Sequence, residues 1–191
     1  MKASVLDIFK IELDFEVVFF PSVRSAKFLL DSGKMNLSSY VLACNGMQTQ
    51  KRLEELGYAC DFVAENAGNP EEVSKNFGSW LGQRKVLVPH SNISSLSVKK
   101  HLNNNQLSTV EVYKTVLSAS IIEPCDVYVF SSPSNIQSFF KSNTPKLGSK
   151  LIVWGNTSLK SLNEHGYPAD YTLKQGSINE LKHLLQSILK T

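Results

Sequence analysis

The chain repeats itself. Phe15 to Leu30 reads Phe-Glu-Val-Val-Phe-Phe-Pro-Ser-Val-Arg-Ser-Ala-Lys-Phe-Leu-Leu, and Cys125 to Phe140 reads Cys-Asp-Val-Tyr-Val-Phe-Ser-Ser-Pro-Ser-Asn-Ile-Gln-Ser-Phe-Phe, so that Ser22 falls on Ser132 at an offset of 110. A second stretch, Gly46 to Phe62, returns as Gly155 to Tyr171 at an offset of 109, pairing Gly46/Gly155, Lys51/Lys160, Leu53/Leu162, Glu55/Glu164, Gly57/Gly166, Tyr58/Tyr167 and Asp61/Asp170. Each copy joins a short apolar, β-rich run to a polar turn and a helical pattern. Runs such as Val127 to Phe130 suit strands covered on both faces, and strand-helix alternation puts them in a parallel, doubly wound α/β sheet in each half.

Read in order, Phe15 to Pro21 is a strand and Ser22 to Asp31 a helix, broken at Gly33-Lys34. Tyr40 to Cys44 is the next strand, and the helix Gln48 to Leu56 closes at Gly57, where a left-handed residue is usual. Asp61 to Ala64 is a short strand. Asn69-Pro70-Glu71-Glu72 then combines an N-cap, a first-turn proline and a Glu at N3, a capping box for a helix to Leu81. Lys85 to Val88 is a strand that Pro89-His90-Ser91-Asn92 is expected to turn into a helix reaching about Asn104. Ser108 to Val116 alternates, with Val110 and Val112 on one face and Glu111, Tyr113 and Thr115 on the other. In the second copy Ser132 sits at an N-cap with Pro133 behind it, and Ser177 with Glu180 opens the closing helix. The expected domains are 14–116 and 119–191, with 1–13 as a linker strand. Block comparison leaves the second half short of one strand-helix-strand unit, which a complete duplication would carry ahead of Met1.

Composition excludes several classes. The chain has 191 residues, 42% of them hydrophobic, enough for a packed core in one large domain or two small ones. A net charge of +3, with Lys and Arg scattered, does not make a nucleic-acid surface, although it is compatible with a cleft for an anionic small molecule. Cys44, Cys60 and Cys125 are odd in number and widely spaced, which argues against a disulfide framework or a zinc site and fits a reducing cytoplasm. His90, His101, His165 and His183 have no metal-ligand spacing. No apolar run approaches a membrane span, so neither a membrane nor an export route is expected.

Taken together, Val129-Phe130-Ser131-Ser132-Pro133-Ser134-Asn135, Gly155-Asn156-Thr157-Ser158, Glu164-His165-Gly166-Tyr167, Ala67-Gly68-Asn69-Pro70-Glu71 and Val110-Glu111-Val112-Tyr113-Lys114-Thr115 resemble the uroporphyrinogen-III synthase family in order and spacing from Phe15 to Leu189. The resemblance implies two flavodoxin-like parallel-sheet domains joined by a two-stranded linker, with the active site in the cleft between them. The C-terminal domain would be incomplete, because the family's opening strand-helix-strand has no counterpart here. It implies a cofactor-independent hydro-lyase that cyclises hydroxymethylbilane, a linear tetrapyrrole polycarboxylate, with loss of water and inversion of the last pyrrole ring. A monomer is expected, with association through an exposed sheet edge as the alternative.

On this reading Tyr113 is the candidate catalytic residue, matching the family's motif tyrosine that assists departure of the hydroxyl; an interdomain packing role is the plainer alternative. The candidate substrate-binding residues are Ser22, Asn69, Ser91, Ser132, Ser134, Asn156, Thr157 and Ser158, all in turns expected at helix N-termini, where orphan N–H groups and the helix dipole favour carboxylates. Ser158 stands where the family usually has Thr, and Asn156 where it often has Pro. Any one of these residues is also an ordinary helix cap, and it is their recurrence at strand ends, where open α/β sheets bind ligands, that favours function. Lys114 and Lys150 are further positions where substrate carboxylates could be met. The rival readings are a non-catalytic, two-lobed tetrapyrrole- or anion-binding protein, and a flavin or receiver module, the latter opposed by the lack of a phosphate loop or a strand-end Asp.

Overall fold

A computed structural model describes residues 14–33, 35–174 and 176–188. The linker-strand reading of residues 1–13 lies outside the described residues. The chain divides into two compact units, Met1–Val116 and Leu117–Thr191.

In the first unit five strands run β1 (Val17–Phe20), β2 (Val41–Cys44), β3 (Phe62–Val63), β4 (Val86–Ser91) and β5 (Leu107–Tyr113), with helices α1 (Val23–Asp31), α2 (Met47–Glu54) and α3 (Pro70–Leu81) between them. All pairings are parallel, in the order β3-β2-β1-β4-β5. This is a doubly wound order that reverses beside β1, whereas flavodoxin itself is wound 2-1-3-4-5; helices on both faces of a parallel sheet are common to both. The pleat explains the two cores. Val18, Phe20, Leu42, Cys44 and Leu87 point to one face and meet Ala26 and Leu29 of α1 and Leu53 of α2. Val17, Phe19, Ala43, Val86 and Val88 point to the other, against Val73, Phe77 and Leu81 of α3. Full burial of each large side chain contributes about 1.5–3 kcal/mol, so a central strand such as β1, buried at every residue, needs both layers.

Two local outcomes depart from the sequence reading. The chain does not turn into a helix at Pro89-His90-Ser91-Asn92; β4 continues to Ser91, and between β4 and β5 the described residues form a 3-10 segment, Ser97–His101. Pro89 is tolerated because β1 pairs with Val86 and Leu87 only, so that from Val88 onward β4 has β5 alone as neighbour and one side needs no N–H. The second departure is a bulge in β5. His90 pairs with Glu111 and Ser91 with Tyr113, skipping Val112, and Tyr113 joins Val110 and Val112 in the same apolar cluster instead of the polar face.

The second unit contains β6 (Val127–Phe130), α4 (Pro133–Phe139), β7 (Lys150–Val153), α5 (Asn156–Glu164), β8 (Tyr171–Thr172) and α6 (Ile178–Ile188). Its parallel order β6-β7-β8 reproduces β1-β2-β3. The duplication holds down to single hydrogen bonds. Gly57 and Gly166 both have positive φ, at 85° and 83°, and the next amides, Tyr58 and Tyr167, donate to Leu53 and Leu162 at 2.9 and 3.3 Å. Asp61 accepts from the Leu42 N–H at 3.1 Å and Asp170 from the Leu151 N–H at 2.8 Å. One core, formed by Tyr128, Phe130, Ile136, Leu151, Val153 and Leu162, lies between the sheet and its helices. The other face is thinly covered: Val129, the counterpart of the buried Phe19, is 38% exposed, and α6 has no buried residue.

Candidate active site

In the first unit the candidate residues follow the carboxyl ends of the strands: Ser22 after β1, Asn69 beyond β3, Ser91 ending β4 and Tyr113 ending β5. They therefore share the end of the sheet where open α/β folds bind ligands, and Ser22 and Ser91 flank the reversal point between β1 and β4. Ser132 and Ser134 follow β6, and Asn156, Thr157 and Ser158 follow β7, at the corresponding end of the second sheet.

Local hydrogen bonding separates these positions into two kinds. Ser22 is engaged as a cap: its Oγ accepts from the Ser25 N–H at 3.2 Å, and the buried Ser25 returns a bond to the Ser22 backbone carbonyl at 2.7 Å. Asn69 accepts from the Glu72 N–H at 3.4 Å, while its own amide and that of Asn66 donate to the Glu72 carboxylate at 3.2 and 3.0 Å. Ser132 accepts from the Asn135 N–H at 3.3 Å, donates to Asn135 Oδ1 at 2.8 Å and lies 3.0 Å from the Ser134 hydroxyl. Ser91 precedes no helix; its carbonyl accepts from the Ser94 N–H at 3.0 Å, so the expected anion-binding helix end is not there.

The turns after the second strand of each unit are different. α2 and α5 both begin behind a glycine, Gly46 and Gly155, and neither has a side-chain cap. Among the described residues, no hydrogen bond is made by the amides of Met47 and Gln48, or by those of Asn156, Thr157 and Ser158; the first returning bonds are Thr49 N–H to Gly46 O at 3.0 Å and Leu159 N–H to Gly155 O at 2.9 Å. These are open donors at the positive end of a helix. Ser158 is 2% exposed, and its hydroxyl makes no hydrogen bond among the described residues. Its counterpart Thr49, 5% exposed and likewise without a hydroxyl partner among the described residues, belongs to the same arrangement. Sequence reading missed it, although the 109-residue offset that pairs Gly46 with Gly155 also pairs Thr49 with Ser158. Close packing explains the glycine in the first turn: a Cβ on Gly46 would stand 3.0 Å from Ala67 Cβ. An open depression of ≈ 450 Å³ along α5 includes Asn156 with Leu159, Lys160, Asn163 and Glu164.

Tyr113 is 7% exposed, its ring stacked on Phe28 of α1 with centroids 5.0 Å apart and planes at 19°. Its hydroxyl makes no hydrogen bond to another described residue. Lys150 is engaged, 2.9 Å from Asp170. That pair, with the Leu151 N–H as the larger cause, holds the Asp170 carboxyl below its ordinary range. No cluster of three metal-ligating side chains occurs among the described residues, and no described helix is long and apolar enough to cross a membrane.

The fold and these turns define a class: a duplicated parallel α/β protein with glycine-led helix ends at the carboxyl edges of its sheets, whose first amides make no hydrogen bond among the described residues. Over residues 3–182 the chain matches the family described as Uroporphyrinogen-III synthase HemD, and it belongs to that family, one of enzymes of haem biosynthesis with a small tetrapyrrole substrate. Among solved structures it is similar to a uroporphyrinogen-III synthetase from Helicobacter pylori 26695, with 19% identity over 93% of this chain and 87% of the other and a TM-score of 0.68. It is also similar to a mutant uroporphyrinogen III synthase from the extremely thermophilic bacterium Thermus thermophilus, with 14% identity over 93% and 79% of the two chains and a TM-score of 0.54. At these identities the likeness is one of fold. No curated protein matches the chain in sequence.

Proposed function

We infer that this chain is a uroporphyrinogen-III synthase acting as a hydro-lyase on hydroxymethylbilane. The observation that supports the reading is the pair of equivalent turns behind Gly46 and Gly155, in which the amides of Met47 and Gln48 and those of Asn156, Thr157 and Ser158 make no hydrogen bond among the described residues, in a chain of this family. The substrate is a flexible chain of four pyrroles bearing carboxylates. Open helix N-termini suit those carboxylates. Ser158 and Thr49 add neutral donors, each at its own turn, and Asn156 and Thr157 supply exposed amides; Ser22, Asn69 and Ser91 stand at the strand ends of the first unit, and Ser132 and Ser134 at those of the second. The chemistry begins when an electron-rich pyrrole expels the terminal hydroxyl. The C–O bond breaks, and the departing oxygen takes a proton from the Tyr113 hydroxyl to leave as water. The carbon freed by C–O cleavage bonds to the last pyrrole ring, which is inverted, and the ring proton displaced on closure restores the Tyr113 hydroxyl.

The test is product analysis. The purified protein, given hydroxymethylbilane, is expected to yield the type III isomer faster than the spontaneous type I product accumulates. Type I product alone, from protein with an intact far-UV spectrum, would sink the assignment.

A further inference from the structure

We propose that Asn92 is a positioning residue for the reaction: it holds the end of β5 in the register that turns Tyr113 inward. The role of Asn92 rests on the reading of Tyr113 as the proton donor. Two registers compete at this end of the sheet. Regular pairing beyond His90 and Glu111 would set Ser91 against Val112 and Asn92 against Tyr113, and strict alternation would then leave Tyr113 on the face of Glu111. The bulge sets Ser91 against Tyr113 instead, and the Tyr113 ring lies with Val110, Val112 and Phe28. A shift of one residue therefore decides which face carries the hydroxyl.

Asn92 makes the contacts that fit the bulged register. Its backbone N–H donates to the Tyr113 carbonyl at 3.3 Å. Its side-chain Oδ1 accepts from the Thr115 N–H at 2.7 Å, and its Nδ2 lies 3.5 Å from the Thr115 carbonyl. These contacts hold the peptide groups on both sides of Lys114, so one side chain continues the pairing where β4 stops at Ser91. The primary amide suits the task because it offers an acceptor and a donor, as a peptide group does. Sliding β5 into the regular register would carry the Thr115 N–H about 3.3 Å along the strand, beyond the reach of Oδ1.

The turn that carries Asn92 is itself tied down. The Ser91 carbonyl accepts from the Ser94 N–H at 3.0 Å and lies 2.8 Å from His90 Nδ1. Asn92 is exposed, so truncating its side chain removes the clamp without opening a cavity in the core.

Steady-state kinetics of type III product formation, read beside the ring contact, tests this role. Asn92→Ala is expected to lower kcat about three- to tenfold, the factor by which one net hydrogen bond shifts an equilibrium, and to leave KM unchanged. Asn92→Asp keeps an acceptor for the Thr115 N–H and is expected to recover most of the lost kcat. In a Tyr113→Phe background Asn92→Ala is expected to add nothing, because the group it positions is already gone. NMR of the unmodified chain should show contact between the Tyr113 and Phe28 rings, weakened in Asn92→Ala, and slow exchange of the Thr115 amide. Parent kcat in folded Asn92→Ala protein, or an equal loss with and without the Tyr113 hydroxyl, would overturn the proposal and leave the reading of Tyr113 intact. A Tyr113→Phe chain that keeps the parent rate would sink that reading and the proposal with it. Should Asn92→Ala fail to fold, unprotected exchange of the Thr115 amide in the unmodified chain would still overturn the proposal.

Discussion

At the scale of single residues, the proposed chemistry uses hydroxyls, those of Tyr113, Thr49 and Ser158, that are almost buried and make no hydrogen bond among the described residues. Tyr113 owes its place to a bulge that turns it into the cluster with Val110 and Val112 and onto Phe28, so its ring and its hydroxyl have separable roles. Tyr113→Phe keeps the ring, and we expect unchanged thermal stability with kcat lowered by about 10²–10⁴, the range for loss of a positioned general acid; a wild-type rate would leave Tyr113 a packing residue. Thr49→Ala and Ser158→Ala should instead raise KM, by roughly tenfold each for the loss of one hydrogen bond to a charged group. Asp61 and Asp170 play a structural part, each accepting from a backbone N–H of the neighbouring strand. Truncation of either to Ala should cost about 1–2 kcal/mol by urea denaturation. The Asp170 carboxyl is held below its ordinary range, first by the Leu151 N–H and then by Lys150. Its contribution is therefore complete above about pH 4, where the unfolded carboxyl is also ionised, and lost as pH falls through the lower folded value. Stability measured from pH 5 downward should fall less steeply in Asp170→Ala than in the parent chain.

At the scale of elements, the helix ends decide how the layers meet. α3 approaches the 3-10 segment Ser97–His101 so closely that a Cβ on Gly78 would lie 2.7 Å from the His101 carbonyl oxygen. Glycine in mid-helix normally costs about 1 kcal/mol relative to alanine. Here Gly78→Ala should destabilise, by about 1–3 kcal/mol, because the clash with backbone outweighs the propensity gain; a variant more stable than the parent by calorimetry would contradict that packing. The elements most legible in the sequence were those specified by their own backbone demands. The positive φ at Gly57 and Gly166 and the caps at Asn69 and Ser132 are local requirements with local residue signatures. Pro89 misled because its usual meaning as a strand terminator depends on whether a neighbour needs its N–H, and that is a property of the sheet. The bulge at Val112 has no residue signature either, since Val-Glu-Val-Tyr alternates as any strand would.

At the scale of the whole molecule, two copies of one plan have unequal cores. The first unit covers both faces of its sheet, whereas the second leaves Val129 exposed and α6 without a buried residue. Unequal burial predicts unequal stability. Trp80 packs with Phe62 and Phe77 in the first unit, and Trp154 lies in the second, so Trp80→Phe and Trp154→Phe variants each leave one reporter. The fluorescence of the remaining Trp154 should change at lower urea than that of the remaining Trp80; coincident transitions would mean that the two units unfold as one. The sequence by itself determined the duplication, the parallel α/β class, the family and the glycine-led turns, because periodicity, caps and C-terminal glycines act over a few residues and repeat wherever the same local demand repeats. Only the tertiary structure decided that Ser91 ends a strand, that Tyr113 turns inward, that Thr49 is buried as Ser158 is, and that among the described residues β6 has one neighbouring strand where β1 has two. Burial and the presence of a neighbouring strand are made by distant parts of the chain, and nearly the same run of residues can be satisfied in either setting.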